Sequence, residues 1–349
     1  MRHETFATMR EALIAARLNP DDSRLRSIDA EKGARVADTE KGGRDDAGWV
    51  KRTVRQETKY GRSYVKRGGV VMNHRTGVLV FWSEDDGTPL TWSERVRLER
   101  EAKEAEEERR AEEEVEQARA AAIAAEIMRS SRSAVEVGHS YLTRKRVRPV
   151  APLGVLGADV VRSIYEQATG ERADWLWLKD KGRWMEGQQL IVPCYLGGDV
   201  QKLVAVEVID GEGHKRTLKG AQAAGAFWVP NDFEERIKRD KKAFIAEGIA
   251  TALSVSQVCG APCVAARYCG NLKATARALK KSIGRRRIEL VVCADIGNGE
   301  LDAREAATAV GGGFMRPQFG AELVAAFKER TGGDRPTDFN DYFIATGDL

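Results

Sequence analysis

The stretch IELVVCAD, Ile288 to Asp295, is an apolar run that ends on a carboxylate. A second apolar run, AFIAEG from Ala243 to Gly248, carries Glu247 near its end, and a third, PCVAAR from Pro262 to Arg267, ends on an arginine. A helical pattern follows each run. IATALSVSQV comes after AFIAEG, Asn271 to Ser282 after PCVAAR, and about Asp302 to Val310 after IELVVCAD. Strands that alternate with helices in this way predict an open α/β sheet whose strands are joined by right-handed crossovers.

Two acidic residues close predicted strands of this sheet. Glu247 ends AFIAE and Asp295 ends IELVVCAD. In an open α/β sheet, ligands bind beyond the carboxyl ends of the strands, so both carboxylates are candidates for a metal site. The alternative is that each acid caps a helix or complements its dipole in the first turn.

The chain upstream of this sheet has three different characters. Residues 134–240 are mostly extended, with strands in LIVPCYLG and KLVAVEVID and a basic turn that carries Lys215, Arg216 and Lys219. Ser93 to Met128 is rich in Ala, Glu, Arg and Lys and predicts a long, solvated helix. Before it, Tyr64 to Trp82 predicts two strands around a turn, in a small basic module.

Composition excludes several classes of protein. The 349 residues carry 57 Lys+Arg and 53 Asp+Glu, and no apolar run is long enough for a membrane span. The N-terminus lacks an apolar signal-peptide region, and the five cysteines all lie from Cys194 onward, which favours a reducing cytoplasm and no cysteine-based zinc module. Basic residues dominate Arg44 to Arg75 and Arg129 to Arg148, which are either nucleic-acid contacts or solvated surface.

The C-terminal third resembles the TOPRIM domain in the version found in primase-like proteins of plasmids, phages and integrative elements. The resemblance rests on several segments together: FIAEGIATALSV (244–255), CGNLKATARAL (269–279), IELVVCAD (288–295), AREAATAVGG (303–312) and PTDFNDYF (336–343). Upstream, SYLTRKRV (140–147), DGEGHKRTLKGAQAAGAFW (210–228), GGRDDAGW (42–49) and the HRTG motif with a later TW (74–92) also resemble that group.

The resemblance assigns roles to individual residues. Glu247 corresponds to a glutamate that works near the reacting phosphate, and Asp295 to the first aspartate of a DxD pair that binds Mg²⁺. The second aspartate is replaced by Gly297, so Asn298, Glu300, Asp302, Asp338 or Asp341 would have to supply a further ligand. Lys215, Arg216 and Lys219 would hold template or nucleotide phosphates, although a solvated hairpin tip is the alternative. Asn271 would lie near the nucleotide, but is most simply an N-cap.

We therefore expect an α/β chain in four parts. These are a small basic N-terminal module (1–92), a long charged helical linker (93–130), an α+β strand-rich subdomain (131–240), and a C-terminal TOPRIM domain with a Rossmann-like, mainly parallel sheet (241–349). The expected activity is synthesis of short RNA primers on single-stranded DNA from nucleoside triphosphates, with Mg²⁺ or Mn²⁺, no zinc and no membrane, in the cytoplasm. A separate replicative helicase is a candidate further partner. No GxxxxGKS/T motif is present, so a P-loop ATPase or helicase motor is not expected in this sequence.

Two rival functions remain open at this point. Gly297 favours a protein that keeps the TOPRIM fold as a scaffold and binds nucleic acid as a replication adaptor without catalysis. A TOPRIM nuclease is the weaker rival, since the same cluster of acids can cleave phosphodiesters.

Overall fold

The structure is a computed structural model. It describes residues 5–27, 33–37, 39, 47–59, 62–84, 92–197, 199, 202–297, 299–333 and 335–349. The candidate ligand Asn298 lies outside these ranges, as do Gly42 to Asp46 of the GGRDDAGW segment and Thr91 of the TW pair. The chain divides into two compact units, Met1–Arg109 and Arg110–Leu349.

The first unit contains a mixed sheet with one helix on it. Its elements are β1 (Thr5–Phe6), α1 (Met9–Ala15), a 3-10 turn (Ser23–Ser27), β2 (Ala34–Val36), β3 (Gly48–Lys59), β4 (Arg62–Asn73) and β5 (Val78–Glu84). The strand order is β1-β5-β4-β3-β2. Helix α1 begins at a capping box between Thr8 and Glu11. Leu13, Val71 and Trp82 are buried in one core, so the predicted strands around the 74–77 turn are confirmed.

The long charged helix, α2, runs over Trp92–Ser130 and spans the division between the two units. Arg and Glu four residues apart face each other on its exposed surface, as in Arg110 and Glu114 at 3.6 Å. Such pairs each stabilise a helix by only about 0.3–0.5 kcal/mol. The alanine-rich end differs, because Ile123 and Ile127 are buried in a core that also contains Val161 and Tyr165. The helix is therefore solvated along its charged part, as predicted, and packed into a core at its alanine-rich end.

An antiparallel sheet follows in the second unit. Its region contains β6 (Arg132–Ser133), α3 (Ala134–Val137), α4 (Ser140–Arg144), β7 (Gly154–Gly157), α5 (Ala158–Thr169), a 3-10 turn (Asp174–Leu176), β8 (Trp177–Leu178), β9 (Arg183–Trp184), β10 (Gln188–Leu196), β11 (Leu203–Ile209), β12 (Lys215–Thr217) and β13 (Ala226–Phe227). The strand order is β12-β11-β10-β7-β6, and β13 also pairs with β10. The basic turn of the sequence is therefore the start of an edge strand, β12.

The C-terminal part is the expected parallel α/β sheet. Its elements are α6 (Phe233–Asp240), β14 (Lys242–Ala246), α7 (Ile249–Cys259), β15 (Cys263–Ala265), a 3-10 turn (Cys269–Asn271), α8 (Leu272–Ile283), β16 (Glu289–Cys293), α9 (Glu300–Val310), β17 (Gly313–Met315), α10 (Ala321–Thr331) and α11 (Phe339–Thr346). The order is β15-β14-β16-β17, and all these strands are parallel.

The strand order creates a switch point between β14 and β16. From β14 the chain crosses to β15 on one side and returns to β16 on the other. Apolar cores cover both faces, with Leu253 of α7 in one core and Leu272 and Leu279 of α8 in the other. A crevice at such a switch point is where open α/β sheets bind ligands. Among the described helices, none combines the length and apolar character that crossing a bilayer requires.

Candidate active site

Glu247 and Asp295 lie side by side at the switch point. Strands β14 and β16 pair in parallel, with Ile245 opposite Val292, and the two acids come just beyond the ends of these strands. Neither acid caps a helix, because the N-cap of α7 is Gly248 and that of α9 is Gly299. The helix-capping alternative therefore does not describe these two residues.

The Asp295 carboxyl lies in an environment that opposes its charge. Burial, followed by the nearby charges of Asp338 and Glu247, raises the pKa of Asp295 to about 8. Its Oδ1 is buried and has no hydrogen-bond partner among the described residues. A buried carboxylate oxygen without a partner is costly unless a cation or donor compensates it. Burial also raises the pKa of Glu247, with Asp302 and Asp338 adding to the effect.

The DFND segment brings two more acids to this edge. Asp338 is the N-cap of α11 and accepts a hydrogen bond from the backbone N–H of Asp341 at 2.9 Å. Asp341 accepts from the N–H of Thr337 at 2.9 Å, and Nζ of Lys145 lies 3.4 Å from its Oδ1. Burial and the Asp341 charge raise the pKa of Asp338. Asp338 is thus a structural cap whose charge also acts on Asp295 and Glu247.

Lys215 supplies positive charge to the same edge. A Cβ placed on Gly248 would lie 3.4 Å from Nζ of Lys215, so the ammonium group lies against the turn that follows Glu247. Burial lowers the pKa of Lys215, but Tyr141, Glu207, Glu247 and Asp338 together raise it above its ordinary value. Lys215 is therefore held as a cation between acidic groups.

The turn after β16 approaches Glu247 without the second aspartate of the motif. A Cβ on Gly299 would lie 3.1 Å from Oε2 of Glu247. Gly297 is exposed and has φ +110, a conformation that L side chains rarely adopt, so this turn is shaped for glycine.

The remaining acids of this turn have different neighbours. Asp302 is partly buried; it raises the pKa of Glu247 and, after burial, that of the Cys269 thiol. Glu300 instead accepts hydrogen bonds from Arg304 at 2.9 Å and Arg316 at 3.0 Å. Asp302 therefore acts on the Glu247 carboxyl, whereas Glu300 is paired with two arginines.

Three other predicted site residues have partners of their own. Arg216 donates to the carbonyl oxygens of Lys215 and Trp177, and Lys219 pairs with Glu171 at 2.8 Å. Asn271 occupies the N-cap position of α8, as predicted, although its side chain makes no cap hydrogen bond.

The Asn271 side chain is used to join two loops. Its Oδ1 accepts from the N–H of Gly225 at 2.9 Å, and its Nδ2 donates to the carbonyls of Ala226 and Ala266. Asn271 thus joins the β13 turn to the end of β15, and these partners take the place of a local cap.

The sequence alone missed three charged residues near this edge. Glu207 of β11 and Arg267, just after β15, are both only 7% exposed, and Lys145 lies beside Asp341. The position of Arg267 at the end of PCVAAR was the one available signal, since it too follows a strand. Lys145 contacts Asp341 across 196 residues of chain, Glu207 interacts with Arg267 across sixty, and the sequence offers no periodic pattern for either.

The acidic side chains of the site supply the negative charge that a divalent ion requires, but they are not arranged as a complete set of ligands. Within the ranges that the structure describes, no three His, Cys, Asp or Glu side chains are grouped closely enough to ligate an ion as they stand. Asp295 nevertheless presents a buried, unpartnered oxygen, and Mg²⁺ keeps several waters and requires only one or two carboxylates. The donor set at Glu247, Asp295 and Asp338 is therefore compatible with Mg²⁺ or Mn²⁺.

Comparison with known proteins identifies the C-terminal domain. The family described as Toprim domain matches residues 242–348. DNA primase TraC of Escherichia coli is 28% identical over 265 residues, which cover 72% of this chain and 21% of that protein. The chain thus spans about a fifth of the length of this curated relative.

Two solved structures are similar at low identity. The Aquifex aeolicus primase (zinc-binding and RNA polymerase domains) is 14% identical with a TM-score of 0.43, covering 66% of this chain and 58% of that one. The RNA polymerase domain of Mycobacterium tuberculosis primase DnaG is 14% identical with a TM-score of 0.40, covering 58% and 77%. Residues 242–348 form a Toprim domain, in a chain that is similar over most of its length to a DNA primase.

Proposed function

We propose that this protein is a primase, which joins ribonucleotides on a single-stranded DNA template. The observation that carries the proposal is the convergence of Glu247, Asp295 and Asp338 with Lys215 at the switch point of a Toprim domain. In the reaction, a 3′-hydroxyl attacks the α-phosphorus of a nucleoside triphosphate, the new phosphodiester bond forms, and pyrophosphate leaves. Phosphoryl transfer of this kind depends on positioning and on neutralising charge rather than on covalent catalysis.

The acidic residues would have different roles in the reaction. Asp295, with Asp338 or Asp302, would hold Mg²⁺ or Mn²⁺, which when bound neutralises negative charge on the reacting phosphate. Glu247 would accept the proton of the attacking hydroxyl, and its raised pKa makes its carboxylate a stronger base than an exposed glutamate. Lys215 would hold a phosphate oxygen, because its ammonium group lies against the Glu247 turn.

The basic residues farther from the acids have a weaker claim. Arg216 and Lys219 lie on or just after β12, but they bond to Trp177 and Glu171. We assign them to the path of the single-stranded template rather than to the nucleotide. Asn271 would act indirectly, by holding the loops beside the site.

Primer synthesis tests the proposal directly. Purified protein is given labelled ribonucleotides and mixed-sequence single-stranded DNA with Mg²⁺ or Mn²⁺. Short RNA products should form with wild type and with Glu305→Gln, a matched control whose exposed carboxylate pairs with Lys273. They should be lost in Glu247→Gln. Absence of product from wild type on every template with both metals would refute the proposal.

Gly297 is the observation that favours a second candidate function, a replication adaptor without catalysis. It removes a carboxylate from the motif, and its turn has a conformation that suits glycine. A replication adaptor that uses the Toprim fold only to bind DNA would bind single-stranded DNA equally well with Glu247 or with Glu247→Gln, and would make no primer. DNA binding that needs both Glu247 and a divalent ion would contradict the adaptor.

A further inference from the structure

Arg267 is buried in a way that its known partners do not explain. The residue is 7% exposed, and its φ of +84 is uncommon for any residue other than glycine. Nη2 donates to the hydroxyl of Thr217 at 2.6 Å. Nε and Nη1, which together carry three N–H groups, have no hydrogen-bond partner among the described residues. Burying a guanidinium whose N–H donors have no partner costs folding free energy. In a native protein, a bound ligand or ion is expected to accept hydrogen bonds from such donors.

The backbone places Arg267 beside the candidate active site. The N–H of Arg267 donates to the carbonyl oxygen of Glu247 at 2.7 Å, so the two residues lie next to each other at the ends of β15 and β14. Thr217, which receives the Arg267 hydrogen bond, is two residues beyond Lys215 on β12. Arg267 therefore reaches from the parallel sheet to the strand that carries the Lys215 ammonium group.

A purely structural ion pair does not account for the arrangement. Glu207 is the candidate acid, since burial raises its pKa while Lys215 and Arg267 lower it. The free nitrogens Nε and Nη1, however, bond to no carboxylate, and Nη2 is directed to a hydroxyl. Strained backbone at a residue with unused donors is typical of sites that bind a ligand.

We propose that Arg267 binds a phosphate group of the nucleotide substrate, opposite Lys215, at the end of β15. This assignment rests on the proposed function and names a binding residue for it. Phosphate is the chemistry that fits, because an arginine with several free N–H donors is suited to oxyanions and the neighbouring acids would repel any anion that lacked such a partner. A nucleotide is favoured over a DNA backbone, because a side chain this deeply buried suits a small ligand that enters the crevice.

Ligand binding without a template separates this inference from the proposed function. ATP and inorganic tripolyphosphate are titrated by calorimetry in the presence of Mg²⁺, with no DNA present. Arg267→Gln should weaken both ligands at least about tenfold, as expected for loss of charged hydrogen bonds. Arg236→Gln is the matched control, since Arg236 is a partly buried arginine that bonds to Ser256 and Gly260 at the far end of α7. A protein that makes no primer but loses ATP binding in this way would refute the proposed function and support Arg267 as a phosphate ligand.

Two results would overturn the inference. One is equal affinity for ATP and tripolyphosphate in wild type and Arg267→Gln, accompanied by a lower melting temperature, which would assign Arg267 a structural role. The other is a loss of affinity for a single-stranded oligonucleotide with ATP binding intact, which would place a DNA phosphate there.

A measurement on wild type keeps the inference testable if Arg267→Gln does not fold. The ¹⁵Nε resonance of Arg267 is assigned by its loss in Arg267→Lys, which keeps the positive charge. It should shift on addition of tripolyphosphate, and an unchanged resonance at saturating ligand would contradict the proposal.

Discussion

Asp295→Asn should make the metal-free protein more stable while removing its metal site. The substitution keeps the size of the side chain and deletes a carboxyl whose pKa is raised to about 8 by burial and by Asp338 and Glu247. In the unfolded chain the same carboxyl has a pKa near 3.9. Between these values the folded state binds a proton that the unfolded state has lost, so this carboxyl makes folding less favourable as the pH rises.

The size of the effect follows from that difference. At pH 7 the carboxyl of the unfolded chain is about three units above its pKa and is ionised, whereas that of the folded protein is still mostly protonated. At ~1.36 kcal/mol per unit, this difference lowers the free energy of unfolding by at most ~4 kcal/mol. Entry of water and movement of charged neighbours reduce it, and the introduced amide needs partners of its own at a cost of ~1 kcal/mol. A net gain of ~1–3 kcal/mol remains, which corresponds to ~2–12 °C in melting temperature for a compact unit the size of Arg110–Leu349.

The assay is thermal unfolding in EDTA at several pH values. The gain of Asp295→Asn over wild type should be small at pH 5, grow to pH 7.5, and level off above about pH 8. Glu305→Gln, at an exposed pair with Lys273, should show no such trend. Saturating Mg²⁺ should stabilise wild type and leave the variant unchanged. A variant less stable than wild type at pH 7.5 without metal, or a gain independent of pH, would refute this account of Asp295.

Three further predictions concern other parts of the chain. Asn271→Ala should lower the free energy of unfolding by ~2–3 kcal/mol in urea, because it removes the partner of the partly buried Gly225 N–H and the side-chain donor to two carbonyls; a loss below 0.5 kcal/mol would contradict this. Gly297→Ala should cost ~1–2 kcal/mol at its φ of +110, measured in the same way, whereas an unchanged midpoint would mean that the turn can relax. Asp22, whose pKa is held well below its usual range by Arg24, stabilises the first unit above about pH 4, and that contribution is lost as the pH falls further; melting temperatures between pH 5 and 2 should therefore fall more steeply for wild type than for Asp22→Asn.

The parallel sheet and its two strand-end acids were open to prediction from the sequence. Glu247 and Asp295 directly follow apolar runs, and the carboxyl ends of adjacent parallel strands meet at one edge. The long helix was predictable as well, since its composition favours helix at nearly every position. Such features are local, so a single sequence carries them.

The rest of the site depends on contacts between distant residues. Arg267 reaches Thr217 across fifty positions, and its role depends on a positive φ that no sequence pattern indicates. Glu300 looked like a replacement ligand from its place after the strand, yet it pairs with Arg316, sixteen residues away. Asn271 likewise exchanges a local cap for partners at Gly225 and Ala226. In each case the residue is visible in the sequence, but tertiary packing determines which partner its side chain has.

Binding of Mn²⁺, followed by electron paramagnetic resonance, measures whether the carboxylates at the switch point form a metal site. Wild type and Glu300→Gln should bind the ion with the same affinity, because Glu300 is paired with Arg304 and Arg316. Asp295→Asn should weaken binding at least about tenfold, since it removes a charged ligand. Equal Mn²⁺ affinity in wild type and Asp295→Asn would show that the carboxylates at the switch point are not a metal site.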